Sequence, residues 1–159
     1  MKIKIACVGK LKDRFCKEAA DEYRKRLSRF CSLEICEVGD EKAPESLSPA
    51  QERQVMDREG ERLLGRIQPN EYIVCLCIEG SRMDSVRFAA FLQDAFVARS
   101  QTVTFVVGGS LGLSPAVLAR ADANLSLSDM TLPHGLCRVF LLEQIYRAFK
   151  INAHEPYHK

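Results

Sequence analysis

Tyr72 to Ile78 reads Tyr-Ile-Val-Cys-Leu-Cys-Ile, apolar from end to end, and Thr102 to Val107 follows as a second buried strand. A strand apolar on both sides needs cover on both sides, and a mostly parallel sheet between two layers of helices supplies it. The segments between such strands should therefore be amphipathic helices, and they are patterned that way. Phe15, Ala19, Tyr23 and Leu27 recur at four-residue spacing within Arg14 to Phe30, which predicts one apolar stripe there and leaves Arg24, Lys25, Arg26 and Arg29 toward water. Ser85 to Arg99 repeats the pattern through Phe88, Phe91, Leu92, Ala95 and Phe96.

The remaining segments complete an alternation of strand and helix. Ile3, Ile5 and Cys7 alternate with Lys2, Lys4 and Ala6 and stop at Gly9, a short first strand; Leu33 to Val38 is a second. Gly39 to Leu47 is polar, contains Pro44 and reads as a mobile loop. It ends at Ser48-Pro49-Ala50-Gln51, a capping box with proline at the first helical position. The helix begun there runs to about Ile67, with Gly60 and Gly65 each costing about 1 kcal/mol relative to alanine, so it should be soft or closely packed. Gly80 closes the Tyr72 strand. Gly108-Gly109-Ser110-Leu111-Gly112 leads into a short helix capped by Ser114-Pro115, Leu125 to Ser128 alternates as a last strand, and Cys137 to about Ile151 is the final helix, with Val139, Leu142, Tyr146 and Phe149 on its stripe. The expected fold class is α/β, an α/β/α sandwich over a mainly parallel sheet.

At 159 residues the chain fits one domain, residues 1–159, of the usual ~100–200 residues. Met1 to Ile5 opens a strand rather than a leader, and no apolar run approaches the ~20 residues of a membrane span, so no membrane partner is expected. The seven cysteines are odd in number and scattered through apolar stretches, which points to reduced thiols packed as small hydrophobes in a cytoplasmic protein. Net charge is only +2, but it is uneven: Lys10 to Phe30 holds eight bases against four acids, and Glu34 to Glu61 nine acids against three bases. Opposed basic and acidic faces are one reading; ordinary solvated helix faces are the other.

In open parallel sheets ligands sit beyond the carboxyl ends of the strands, which directs attention to the turns after Ile78, Val107 and Ser126. The glycine turn lets backbone N–H groups approach a ligand, but its G-G-x-x-G spacing is neither a dinucleotide fingerprint nor a P-loop. All three histidines, His134, His154 and His158, lie in the last quarter beside Arg138, Arg147, Lys150, Tyr157 and Lys159. That cluster suits proton traffic near neutral pH. No spacing suits a metal, since Cys75 and Cys77 share one face of a buried strand, and no Gly-x-Ser-x-Gly elbow is present.

Phe105 to Ser114, Leu125 to His134 (Leu-Ser-Leu-Ser-Asp-Met-Thr-Leu-Pro-His), Arg138-Val139, Glu143 to Ala148 and Tyr157-His158-Lys159 together closely resemble one family. It is that of the small SPOUT-class methyltransferases acting on N3 of a pseudouridine in 23S ribosomal RNA. Val8-Gly9-Lys10 and Glu59-Gly60 extend the resemblance along the chain. The resemblance implies a C-terminal trefoil knot, made by threading the chain end through a loop, and a homodimer; knots are rare among folds. It implies S-adenosyl-L-methionine as cofactor, bound by Leu76, Gly108, Leu127, Ser128, Asp129, Met130, Thr131 and Leu132, with backbone rather than the Asp129 carboxylate in contact. The implied substrate is pseudouridine 1915, reached within the 70S ribosome, with no metal required.

N3 of a pseudouridine is protonated at neutral pH, so its proton must leave before or during methyl transfer. On the resemblance, His158 with Tyr157 and Lys159 is expected to orient the base and assist that loss, and Arg138 to stabilise the developing anion or hold a phosphate. The site is expected to be completed across the dimer, with Arg24, Lys25, Arg26 and Arg29 as phosphate contacts. Two readings from other classes stand beside this one: a noncatalytic ribosome-binding regulator, and a nucleotide-binding α/β domain that uses the glycine turn for phosphate.

Overall fold

The computed structural model describes residues 1–159, the side chain of Ala98 apart. Five strands and five helices follow one another: β1 (Lys2–Val8), α1 (Arg14–Leu27), β2 (Ser32–Val38), α2 (Pro49–Leu64), β3 (Tyr72–Arg82), α3 (Ser85–Ala98), β4 (Thr102–Val107), α4 (Pro115–Arg120), β5 (Ala123–Ser126) and α5 (His134–Asn152). The strands form one sheet in the order β2-β1-β4-β3-β5 with every neighbouring pair parallel. This is the expected α/β sandwich, and its strand order is compatible with the threading that the resemblance implies. Ile3, Ile5, Val74 and Phe105 face α1, α3 and α5 in one core; Ala6, Ile73, Cys75 and Val106 face α2 and α4 in the other. All seven cysteines are free, and among the described residues no helix is long and apolar enough to cross a membrane.

Several boundaries differ from the sequence reading, each for a physical reason. The stripe of α1 runs through Cys16, Ala20 and Leu27, with Tyr23 half-buried, while Phe15 is 61% exposed. Alternation in β1 does not mean a wet face: β1 is central, and Lys4 is buried because its ammonium donates to Glu71 at 2.9 Å, a carboxylate that also accepts from the Thr104 hydroxyl at 2.7 Å. The Ser48 capping box is present. Gly60 is a close-packing residue, since a Cβ there would run into the Ser114 hydroxyl, and Gly65 caps the helix end.

Strand β3 continues past Gly80. Leu125 pairs first with Leu76 and then with Ser81, so residues 77–80 loop out as an irregularity in the ladder, and Ile78 is 75% exposed rather than covered. Gly80 stands where the two backbones touch: a Cβ would lie 2.7 Å from the amide nitrogens of Leu125 and Ser126. The last strand is Ala123–Ser126, and α5 begins at His134, behind Pro133, three residues earlier than the apolar pattern predicts.

Candidate active site

Because β1, β4, β3 and β5 are adjacent and parallel, the turns leaving their carboxyl ends gather on one edge of the sheet. A cavity of about 480 Å³ opens there. Its walls are Leu76 with the looped-out Cys77, Ile78 and Glu79, the glycine turn, and the segment from Leu127 to Leu132. Every residue expected to bind the cofactor therefore lines one space: Leu76, Gly108, Leu127, Ser128, Asp129, Met130, Thr131 and Leu132. Gly108 is buried with no room for a side chain, its Cβ position lying 2.7 Å from the Gly112 carbonyl, so the turn closes backbone on backbone. The last segment braces itself: the Ser126 hydroxyl donates to the Ser128 carbonyl at 3.2 Å, and the Ser128 hydroxyl accepts from the Met130 N–H at 3.0 Å. The Asp129 carboxylate is turned to Arg82 at 2.5 Å, both side chains largely exposed. His134 and Cys137, from the first turn of α5, complete the wall.

The expected catalytic residues fall into two places. Tyr157 folds back on α5, edge-on to Tyr146 with ring centroids 5.0 Å apart, and its hydroxyl donates to Glu143 at 3.2 Å. Burial, helped by Tyr23 and Glu143, pushes that hydroxyl up to about 12, so it stays protonated. Arg147 bridges the group, its guanidinium 4.7 Å from the Tyr157 ring centre and 3.3 Å from His158 Nδ1. His158 lines a second cavity of about 380 Å³ with Gln144, Phe140 and Leu127, and Leu125, Ser126 and Leu127 border both this cavity and the first. Lys159 is exposed.

Arg138 does not join the tail. It is buried beneath the end of β1, donating to the carbonyls of Val8 at 2.6 Å and Gly9 at 2.7 Å and to Glu37 at 3.0 Å. With these bonds it ties α5 to the β1 turn, and it lines a third cavity of about 300 Å³ that shares Gly109, Ser110 and His134 with the first. Glu59 lines the same space from α2. Its Oε1 accepts from the Glu41 N–H at 3.0 Å, while burial, reinforced by Asp40 and Glu41, raises its proton affinity. Burial and the nearby Arg138 lower that of His134. Sequence reasoning assigned Glu59 no role, although a carboxylate at the buried register of Val55 and Leu63 was a signal.

Four basic side chains of the expected RNA face, Arg24, Lys25, Arg26 and Arg29, are exposed on α1 and the turn after it. Arg26 is paired with Glu22 at 2.8 Å and Arg29 with Glu155 at 2.6 Å.

Comparison with known proteins places this geometry in context. The family described as "Predicted SPOUT methyltransferase" matches residues 1–158. The chain is 53% identical over 159 residues to ribosomal RNA large subunit methyltransferase H of Bifidobacterium animalis subsp. lactis, and 54% identical to the protein of the same name from Ruminiclostridium cellulolyticum, each pair aligned over 100% of both chains. Among solved structures, it superposes with a TM-score of 0.53 at 10% identity on a Haemophilus influenzae protein described as of the methylase family, covering 96% of this chain. A Legionella pneumophila protein described as a methyltransferase with bound SAM gives 0.51 at 12% identity and 93% coverage. The chain spans 66% of the length of each of these two structures, which speak for the fold.

Proposed function

The chain belongs to the SPOUT methyltransferase family, and from that membership we propose that it uses S-adenosyl-L-methionine to methylate 23S ribosomal RNA, at N3 of pseudouridine 1915, as a homodimer acting on the assembled 70S ribosome. The observation that carries this reading is the first cavity. Three stretches far apart in sequence wall it, and together they offer what an adenosyl sulfonium needs: backbone N–H and C=O groups from Gly108 to Gly112 and Leu127 to Leu132, and apolar cover from Leu76, Leu113 and Leu127. Those residues would hold the cofactor, which supplies an electrophilic methyl group when bound.

The chain's own work is then to position N3, exclude water and accommodate a proton. Across a dimer, His158 and Tyr157 of one protomer meet the target base beside the partner's cofactor loops, with Lys159 and the basic side chains of α1 against phosphates. Such contacts are sequence-blind and weaken with salt. With a net charge of +2, recognition depends on the ribosome's shape rather than on charge alone.

The test is methyl transfer from tritiated cofactor to 70S ribosomes lacking the modification and to naked 23S RNA, with the product located by mass spectrometry. Transfer to N3 on ribosomes, and much less on naked RNA, is expected. Ribosome binding without transfer would make the protein a noncatalytic regulator, and tighter binding of a mononucleotide than of S-adenosylhomocysteine would make it a nucleotide-binding domain. His158→Ala should slow transfer by about 100-fold, the usual scale for a proton-handling group, with S-adenosylhomocysteine affinity nearly unchanged. Equal loss of both would reject the role of His158.

A further inference from the structure

Neither residue of the Glu59-Gly60 pair on α2 lines the first cavity, yet both press on the segment that walls it. Gly60 meets the far end of that segment, where a Cβ would run into the Ser114 hydroxyl. Glu59 meets the near end. A Cβ on Gly109 would lie 2.6 Å from Glu59 Oε2 and 3.1 Å from both the carboxyl carbon and Oε1, so the three nearest atoms all belong to one carboxyl group. The φ of Gly109 is not positive, unlike that of Gly9 and Gly112. What keeps a side chain out of position 109 is therefore the carboxyl group and not the backbone conformation.

That carboxyl group is not free to swing aside. Glu59 is only 4% exposed, and its Oε1 accepts from the Glu41 N–H at 3.0 Å. Glu41 is itself tied to α2 by Arg58 and Arg62, and Arg62 also donates to the Gly39 carbonyl at 2.8 Å. Oε2 has no hydrogen-bond partner among the described residues; it rests against the α-carbon of Gly109, whose C–H is a weak donor at best. One side of the group thus holds the loop after β2, and the other seats Gly109. Gly109 carries the rest of the turn with it, since its carbonyl accepts from the Gly112 N–H at 3.1 Å.

We propose that Glu59 is a positioning residue for cofactor binding: packed on Gly109, its carboxyl group holds the Gly108 to Gly112 turn where the cofactor meets it, and through Glu41 it links that turn to the loop between β2 and α2. The inference rests on the reading of the first cavity as the cofactor site and deepens it, and it requires no contact between Glu59 and a ligand. The turn offers main-chain groups to the cavity, and main chain has no rotamers with which to correct an error, so a turn about 1 Å out of place binds poorly. The link also runs backwards. If the Glu59 contacts favour cofactor binding, bound cofactor favours those contacts by the same factor, the Glu41 N–H bond among them.

The test is a swap of volume across the contact, read by calorimetric titration with S-adenosylhomocysteine. Gly109→Ala sets a methyl group against the carboxyl group and should weaken binding about 10-fold or more. Glu59→Ala removes the support and should weaken it about 5-fold or more. In Glu59→Ala/Gly109→Ala the new methyl enters the vacated space, so the double variant should bind about 5-fold or more tighter than Gly109→Ala alone, a coupling of the size found between residues in contact. Glu59→Gln keeps both the shape and the acceptor for Glu41, so its affinity and its turnover on 70S ribosomes should stay within about twofold of wild type. In the ligand-free protein the Glu41 amide should exchange with deuterium faster in Gly109→Ala than in wild type, and in wild type it should slow when S-adenosylhomocysteine binds; that second measurement decides the matter by itself if an alanine variant does not fold. Wild-type affinity in Gly109→Ala, losses that multiply in the double variant, a Glu41 amide indifferent to ligand, or a Glu59→Gln enzyme that binds normally but turns over slowly would overturn the proposal while leaving the methyltransferase reading intact. A wild-type protein that binds no S-adenosylhomocysteine would overturn the cofactor reading instead, and Glu41 exchange in ligand-free Gly109→Ala would still decide the contact.

Discussion

The two ends of the sheet bury charge in opposite ways. Toward the amino end, Lys4, Glu71 and Thr104 form a closed set: the Lys4 ammonium donates to Glu71 Oε1 and to the Arg66 carbonyl, and the Thr104 hydroxyl donates to Glu71 Oε2. At the carboxyl end, Glu59 and Arg138 are as deeply buried, yet each retains an atom with no partner. A satisfied charge pair is part of the scaffold. An unsatisfied one carries a desolvation cost that its remaining hydrogen bonds do not fully offset.

The comparison can be broken most sharply at the closed end. Lys4→Met leaves the Glu71 carboxylate buried without its counter-charge, which should cost about 3–5 kcal/mol in chemical denaturation without changing S-adenosylhomocysteine affinity at a temperature where the variant is folded. The double variant Lys4→Met/Glu71→Met should recover most of that loss. If the single change costs nothing, the pair is not the closed unit described.

At the open end the expected effect is smaller and opposite in sign. The carboxyl of Glu59 titrates above its unfolded value of about 4.5, so from that pH upward the unfolded chain binds fewer protons than the folded one, and this residue lowers stability as pH rises through the window up to its folded value. Glu59→Gln should therefore equal wild type in stability at pH 4 and become the more stable of the two toward neutrality. A constant difference across that range would mean that Glu59 is satisfied after all. Smallest of all is Asp129→Ala. Its ion pair with Arg82 is exposed, worth about 0–1 kcal/mol, and cofactor contact there is expected through backbone, so stability and S-adenosylhomocysteine binding should both stay within experimental error. A large loss of affinity would put the carboxylate in contact with the cofactor.

The same contrast governs what could be read from the chain itself. Periodicity located α1, α3, α5 and the buried strands, because an amphipathic helix and a doubly covered strand leave strong patterns, and the caps at Ser48-Pro49 and Ser114-Pro115 located α2 and α4. Periodicity could not show that Lys4 is buried, since Glu71, which lies beside it, is distant in sequence. It ended β3 at Ile78, since Glu79 to Arg82 look like a turn; only pairing with β5 makes Ser81 and Arg82 strand. The Gly108 to Gly112 turn and the Leu127 to Leu132 segment were recognisable as motifs, and the fold brings them together on one cavity. Phe15 misled because the stripe of α1 is set by Cys16 and Ala20, whose small side chains carry weak hydrophobic signal. Glu59 was legible only through its place four residues from Val55 and Leu63, a weak signal among the other acids of that stretch.

Gly80 carries a warning for anyone mapping this protein by mutagenesis. It stands where β3 and β5 meet main chain to main chain, at the root of the looped-out residues that form one side of the first cavity. Even a methyl group would pry the outermost strand away and tilt that wall, abolishing turnover from a position without a reactive atom. A deep scan scored on methyl transfer would rank it among the chemical residues, although its contribution is that of a hinge pin cut to length.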